Sequence, residues 1–153
     1  APPHAGIEVP DTNIEKSVNL LTTSTDESGS VAYQVGGTGF AFGDSLARSS
    51  IACLCLAIAK QKDSDAFRAT LKHLTARIDQ PPSGAWPYYT RYYMAQALFQ
   101  GDSAAWEKWN QVNTDILQQD QRDDGSIGGS TYSTAMSLLS MALNYRFLPI
   151  YER

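Results

Sequence analysis

The chain has 153 residues, enough for one domain with a sizeable core, and its 42% apolar and 18% charged content argues against a disordered chain. A net charge of −4 without any basic cluster argues against nucleic acid as a partner. The longest apolar run, Ile51 to Ala59, is about half as long as a membrane-spanning helix, so no transmembrane segment is predicted.

Six helical segments follow one another along the chain, and two kinds alternate strictly. The amphipathic kind carries apolar residues on one face, as Ile14, Val18 and Leu21 do in the first segment. The other kind is apolar nearly all round and must be covered on every side. The amphipathic segments are residues 13–23, 64–78 and 103–119, and the apolar segments are residues 44–60, 88–100 and 131–143.

This alternation predicts an all-α fold of three helical hairpins in two layers, with the apolar helices inside and the amphipathic helices covering them. We expect a repeat domain over residues 13–153, preceded by an extension over residues 1–12. Thr12 and Glu15 have the spacing of a capping box at the start of the first helix. The glycine-rich stretch over residues 34–42 predicts a loop.

An internal repeat supports the hairpin interpretation. Ala52, Ala95 and Ala135 align in the apolar segments at steps of 43 and 40 residues, which is typical of a helical-hairpin array. Each hairpin also has a similar turn, in which we expect the glycine to adopt a positive φ and the large residue after it to be buried. These turns are Ser28–Val31 followed by Tyr33, Ser83–Trp86 followed by Tyr88, and Asp124–Ile127 followed by Tyr132.

The third repeat resembles a known family. The stretch Leu117–Ser126 is similar to the glutamine-rich turn repeat of squalene cyclases and prenyltransferase β subunits, and Tyr132–Leu139 resembles the inner helix that follows it. The family motif continues into a tryptophan, where this chain has Ile127, although Trp86 keeps an aromatic residue in the middle repeat. The end, Tyr145–Arg153, resembles the C-terminal end of bacterial proteins with this repeat.

The resemblance implies a partial α/α toroid. Family members close a ring of helical hairpins around a central cavity, and this chain supplies three hairpins. It is the end of a longer protein, a self-sufficient arc, or half of a ring that another chain completes. An open arc leaves one flank of the apolar helices bare, and large exposed apolar patches mark interfaces. We therefore expect self-association or a partner segment.

The catalytic signatures of these families are not visible. Cyclases protonate an alkene with a D-x-D-D acid, whereas Asp63–Ala66 lacks the last aspartate and Asp120–Asp124 has the wrong spacing. Prenyltransferases bind zinc through Asp, Cys and His, but Cys53 and Cys55 belong to an apolar helix, and His73 is expected to be a solvated surface residue. The Cys-Gly-Glu-Gln motif of thioester domains is also absent. Neither catalytic residues nor a metal or other cofactor are predicted.

Aromatic side chains near the starts of the apolar helices are the candidate binding residues. In terpene cyclases, aromatic walls stabilise carbocations through their π faces, and here such rings would line a groove for an apolar ligand. The favoured alternative is that they pack between hairpins, with hydroxyls that reach turn backbone. The candidate residues are Tyr33, Trp86, Tyr88, Tyr92 and Tyr132.

Three functions are compatible with these features. The leading prediction is a non-catalytic helical repeat domain that mediates association within a longer protein or an oligomer. The second is a fragment of a terpenoid-cyclase-like or prenyltransferase-like enzyme that acts on an isoprenoid, and the third is a binder of an apolar small molecule. The sequence indicates no cellular compartment.

Overall fold

The computed structural model describes residues 8–34, 45–80, 82, 84 and 86–145. This part of the chain is all-helical, as predicted, and each of the six predicted segments corresponds to one helix. Residues 35–42 of the predicted loop, most of the extension, two residues of the middle turn and residues 146–153 lie outside the described residues. The helices are α1 (Asp11–Ser24), α2 (Leu46–Ile58), α3 (Asp65–Thr75), α4 (Pro87–Gly101), α5 (Ser103–Gln119) and α6 (Thr131–Met141), followed by a 3-10 turn (Ala142–Tyr145).

The apolar helices form an inner row. Helix α4 lies in this row between α2 and α6. The amphipathic helices pack against the row: α1 contacts α2, α3 contacts both α2 and α4, and α5 contacts both α4 and α6. Each hairpin therefore contributes one inner and one outer helix. Helix α4 is central, because it contacts α2, α3, α5 and α6.

The core is built mainly from α2 and α4. Leu56, Met94 and Leu98 are completely buried, and burial of each such side chain stabilises the fold by about 1.5–3 kcal/mol. An aromatic contact joins the inner row to α5, because the rings of Phe99 and Trp106 meet edge to face with centroids 5.5 Å apart. Hairpins two and three are thus held together by apolar packing between α4 and α5.

The capping box predicted at Thr12 and Glu15 is wrong. Helix α1 begins at Asp11, with Pro10 at the N-cap position and no side-chain capping bond. The proline ring fixes φ, here at −57°, and the Pro10 carbonyl accepts a hydrogen bond from Asn13 N at 2.9 Å. Because the helix starts two residues earlier than predicted, Thr12 already lies inside its first turn.

The repeated turns have the predicted glycine conformation. Gly29, Gly84 and Gly125 have φ values of 82°, 98° and 80°. The first and third turns also close with the same backbone hydrogen bond, so they are copies of one structure. The closing bonds are 3.0 Å from Asp26 N to Ser30 O and 2.9 Å from Arg122 N to Ser126 O.

The large residue after each glycine is buried in two turns of three. Val31 is 5% exposed and Ile127 is 4% exposed, as predicted. Trp86 is 68% exposed, so the prediction is wrong for the middle turn. The reason is that α4 begins at the next residue, Pro87, so Trp86 is its N-cap residue. No segment separates the turn from the helix, and the tryptophan side chain is not folded inward.

The first and third turns allow a matched test of what the glycine contributes. In Gly125→Ala, the new methyl group meets nothing within 4 Å, so only the positive φ is penalised, by about 1–2 kcal/mol. In Gly29→Ala, the same φ penalty applies, and the methyl group would also overlap the carbonyl oxygen of Ala69, which we expect to cost about 1–3 kcal/mol more. Denaturant unfolding of both variants measures the difference, and equal losses would contradict the packing of the first turn on α3.

Candidate functional site

Helix α6 faces the protein interior with serines instead of large apolar residues. Ser133, Ser137 and Ser140 recur at the helical spacing of i, i+4 and i+7, and they are 2%, 0% and 0% exposed. Ser133 Oγ donates to the carbonyl oxygen of Ile127 at 2.6 Å and takes part in the capping box with Ser130. We call this set of three serines the serine face.

A buried polar chain links the serine face to α4 and α5. Arg91 is 4% exposed and donates from Nη1 to Asn113 Oδ1 at 2.7 Å, and Asn113 Nδ2 donates to Ser140 Oγ at 3.2 Å. Ser140 Oγ in turn donates to the carbonyl oxygen of Ser137 at 2.7 Å. Burial lowers the pKa of the Arg91 guanidinium, because the charged form loses hydration. Rotation of α6 about its axis would break this chain, so the chain fixes which face of α6 points inward.

The opposite side of α6 is an exposed apolar ridge, defined as Tyr132, Ala135, Leu138 and Leu139. The exposed fractions are 48% for Tyr132, 54% for Leu138 and 37% for Leu139, and Ala135 is also exposed. All 11 residues of α6 are uncharged. The prediction that this helix is covered on every side is therefore wrong, because only its serine face is covered by α4 and α5.

The equivalent positions of α4 show what the ridge lacks. Ala95 aligns with Ala135, and the residues three and four positions later, Leu98 and Phe99, align with Leu138 and Leu139. Leu98 is 0% exposed and Phe99 is 5% exposed, and the Phe99 ring meets Trp106 of the next hairpin. The ridge has the same apolar character, but no hairpin follows it among the described residues.

The first turn shows a second contact between successive hairpins. His73 of α3 is 5% exposed, and its Nδ1 lies 3.0 Å from the carbonyl oxygen of Ser28. The carbonyl can only accept, so Nδ1 donates. The prediction of a solvated surface histidine is wrong, because the turn around Gly29 packs on α3 and covers the ring. Gly125, at the same place in the third turn, has nothing within 4 Å of where a methyl group would be.

Two open clefts lie beside these turns. The first, about 550 Å³, separates the first turn from α3 and carries charges of both signs. The second, about 640 Å³, runs from the third turn to the ridge. The first cleft is lined by Asp26, Glu27, Ser28, Ser30, Lys72, His73, Ala76 and Arg77, and the second by Asp124, Gly125, Ser126, Gly129, Ser130, Thr131, Thr134, Ala135 and Leu138.

The five aromatic residues predicted to bind an apolar ligand occupy different environments. Tyr33 and Trp86 are both 68% exposed, and Tyr132 belongs to the ridge. Tyr88 and Tyr92 are half-buried. The Tyr88 hydroxyl lies against Gly128 in the third turn, where it would overlap any added methyl group, and the rings of Tyr92 and Tyr93 are 5.0 Å apart. None of these five residues lines either cleft. The contact of Tyr88 with the third turn is of the kind expected if the aromatic residues pack between hairpins.

The cysteines and carboxylates of the described part form no reactive cluster. Burial raises the pKa of the Cys53 thiol to about 12, so this cysteine stays protonated at neutral pH. Among the described residues, no group of three His, Cys, Asp or Glu side chains is placed to hold a metal ion.

In comparisons with known proteins, no family model, no curated protein and no solved structure matches the chain. None of the helices in the described ranges is long and apolar enough to cross a membrane.

The sequence analysis missed the polar chain and the inward orientation of the α6 serines. Arg91 stands in the otherwise apolar middle helix, and Asn113 stands on the inward face of α5. The available signal was the serine spacing at positions 133, 137 and 140, which is as regular as an apolar stripe. A serine stripe is usually attributed to a solvated helix face. Here the buried partners, Arg91 on α4 and Asn113 on α5, show that the serine stripe points inward.

Two serines of the serine face give a matched test of the polar chain. In Ser140→Ala, the Nδ2 group of Asn113 loses its acceptor, and we expect a loss of about 1–3 kcal/mol in the free energy of unfolding. In Ser137→Ala, a buried hydroxyl without a hydrogen-bond partner is removed, and we expect a change within about 0.5 kcal/mol or a gain. Chemical denaturation measures both variants, and a larger loss in Ser137→Ala than in Ser140→Ala would contradict the assignment of the chain.

Proposed function

We propose that this protein is a non-catalytic helical repeat unit that associates, through the ridge on α6, with another helical hairpin in an oligomer or a longer protein. The observation that carries the proposal is that α6 is uncharged and exposes its apolar residues while it buries its serines. A leucine gains about 1.5–3 kcal/mol on full burial, so covering the ridge yields a substantial driving force. Exposed apolar patches on a folded protein mark interaction sites.

The partner that the repeat favours is a hairpin. In this chain, each inner helix before α6 is covered by the next hairpin, and Phe99 meets Trp106 on the next outer helix. The first turn likewise packs on the next outer helix, α3. Leu139 and Gly125 stand at the corresponding places of the last hairpin. A further hairpin would contact both, and successive additions of this kind would extend the array into the toroid that the sequence resemblance implies.

The enzyme alternative receives less support from the carboxylates. An acid that protonates an alkene must be shielded in an apolar cavity so that it stays neutral until it reacts. Asp63 and Asp65, in the first partial motif, are exposed, and so are Asp120, Asp123 and Asp124 in the second. Asp124 instead accepts a hydrogen bond from Ser126 N at 2.9 Å, which is the usual role of an aspartate in a turn.

Two equally exposed leucines, one on α1 and one on α6, provide a matched test of the proposal. Leu138 on the ridge is 54% exposed and Leu20 on α1 is 53% exposed, so a charge at either position should leave folding intact. We expect Leu138→Lys to lower association and raise the solubility limit several-fold, because a lysine keeps its charge hydrated and cannot be buried in an apolar interface. Leu20→Lys should behave as the wild type does.

The measurements are solution mass by light scattering and the highest soluble concentration, with circular dichroism as the check on folding. If Leu138→Lys matched both Leu20→Lys and the wild type in mass and in solubility, the ridge would not be an association surface.

A further inference from the structure

We propose that the hairpin that covers the ridge is the third hairpin of a second copy of this chain, so that α6 packs antiparallel against its own counterpart across a two-fold axis near Ala135. This inference rests on the proposed function, since it names the partner of the same surface. It is carried by the charge, the shape and the surroundings of the ridge.

The charge pattern favours α6 against α6. A two-fold axis brings identical residues close together, so a charged helix would repel its own copy. Helix α6 has no charged residue among its 11, although 18% of the chain is charged. The opposite end of the array is different, because on α1 the exposed Leu20 lies on a helix that also carries Asp11, Glu15 and Lys16. A head-to-tail contact would place the ridge on the first hairpin, which carries these charges on α1 and Arg48 on α2, whereas a two-fold contact places it on the uncharged α6.

The shape of the ridge is complementary to itself. Ala135 lies between Tyr132, three residues earlier, and Leu138, three residues later. When two such helices run antiparallel about Ala135, the large Tyr132 of one copy lies beside Leu138 of the other. The small alanines at the centre let the two backbones approach closely, as small residues do at other helix contacts.

The cleft beside the ridge provides space for the side chains of the second copy. This cleft of about 640 Å³ is bounded by Ala135 and Leu138 on α6 and by the third turn. Since a methyl group added at Gly125 would meet nothing within 4 Å, the turn leaves this side open. In the antiparallel arrangement, the Tyr132 ring of the second copy would lie next to Leu138, which borders this cleft.

The ridge is short, which limits the strength of the contact. Four side chains on an 11-residue helix present less surface than the about 800 Å² per partner of a standard interface. We expect the dimer to dissociate on dilution, with a dissociation constant in the micromolar range. The mass should therefore rise from monomer to dimer with concentration and then stay at the dimer, because a two-fold contact closes on itself.

Disulfide trapping at the expected axis tests the arrangement. In Cys55→Ala, the exposed native cysteine is removed, while Cys53 is buried and remains protonated. In this background, Ala135→Cys places one thiol on each side of the axis, and we expect mild oxidation to convert most of the protein to a covalent dimer. Glu107→Cys, on the exposed side of α5, is the matched control and should yield at least tenfold less dimer.

The outcomes separate this inference from the proposed function. A reversible dimer in light scattering, trapped through residue 135 and not through residue 107, supports the α6 pairing. Association that depends on Leu138 but grows beyond the dimer, or that is not trapped at residue 135, overturns the pairing and leaves the proposed function standing. A wild-type monomer at all concentrations also overturns the pairing. If Leu138→Lys then has no effect on solubility, the proposed function fails as well.

Discussion

The orientation of α6 depends on one buried polar chain, from Arg91 through Asn113 to Ser140. A guanidinium that is 4% exposed requires a hydrogen-bond acceptor, and the amide of Asn113 provides it. The same amide donates to Ser140, so the serine face of α6 must point inward. Once the serines are inside, the geometry of a helix leaves the leucines outside. The exposed ridge is thus a consequence of satisfying polar groups in the interior.

The rest of the array follows a different rule, in which apolar residues bury one another. Helix α4 is covered on both flanks, by α2 and α6, and the outer helices lie over the inner row with one face inward. Phe99 against Trp106 and the first turn against α3 show that each hairpin uses the next one as its cover. A repeat unit of this kind is stabilised by its neighbours, so the last hairpin of any series has an uncovered face.

The sequence predicted the helices well because their signals are local. The apolar stripes and the positive-φ glycines at positions 29, 84 and 125 depend on nearby residues alone, and they were confirmed. The failures concern contacts between distant residues. His73 is covered by a turn 45 residues away, and Ser140 of α6 accepts its hydrogen bond from Asn113 of α5. The aromatic binding set was chosen by its position in the repeat, which cannot tell an exposed ring such as Tyr33 from a packed one such as Tyr88.

The central claim is that the apolar face of α6 is exposed in the isolated chain and becomes covered on association. Hydroxyl-radical footprinting over a range of protein concentrations tests this claim directly, with Leu20 as an internal reference of equal exposure to Leu138. We predict that oxidation of Leu138 and Tyr132 falls as concentration rises while oxidation of Leu20 stays constant. Unchanged oxidation of Leu138 in a sample that light scattering shows to be associated would contradict the claim.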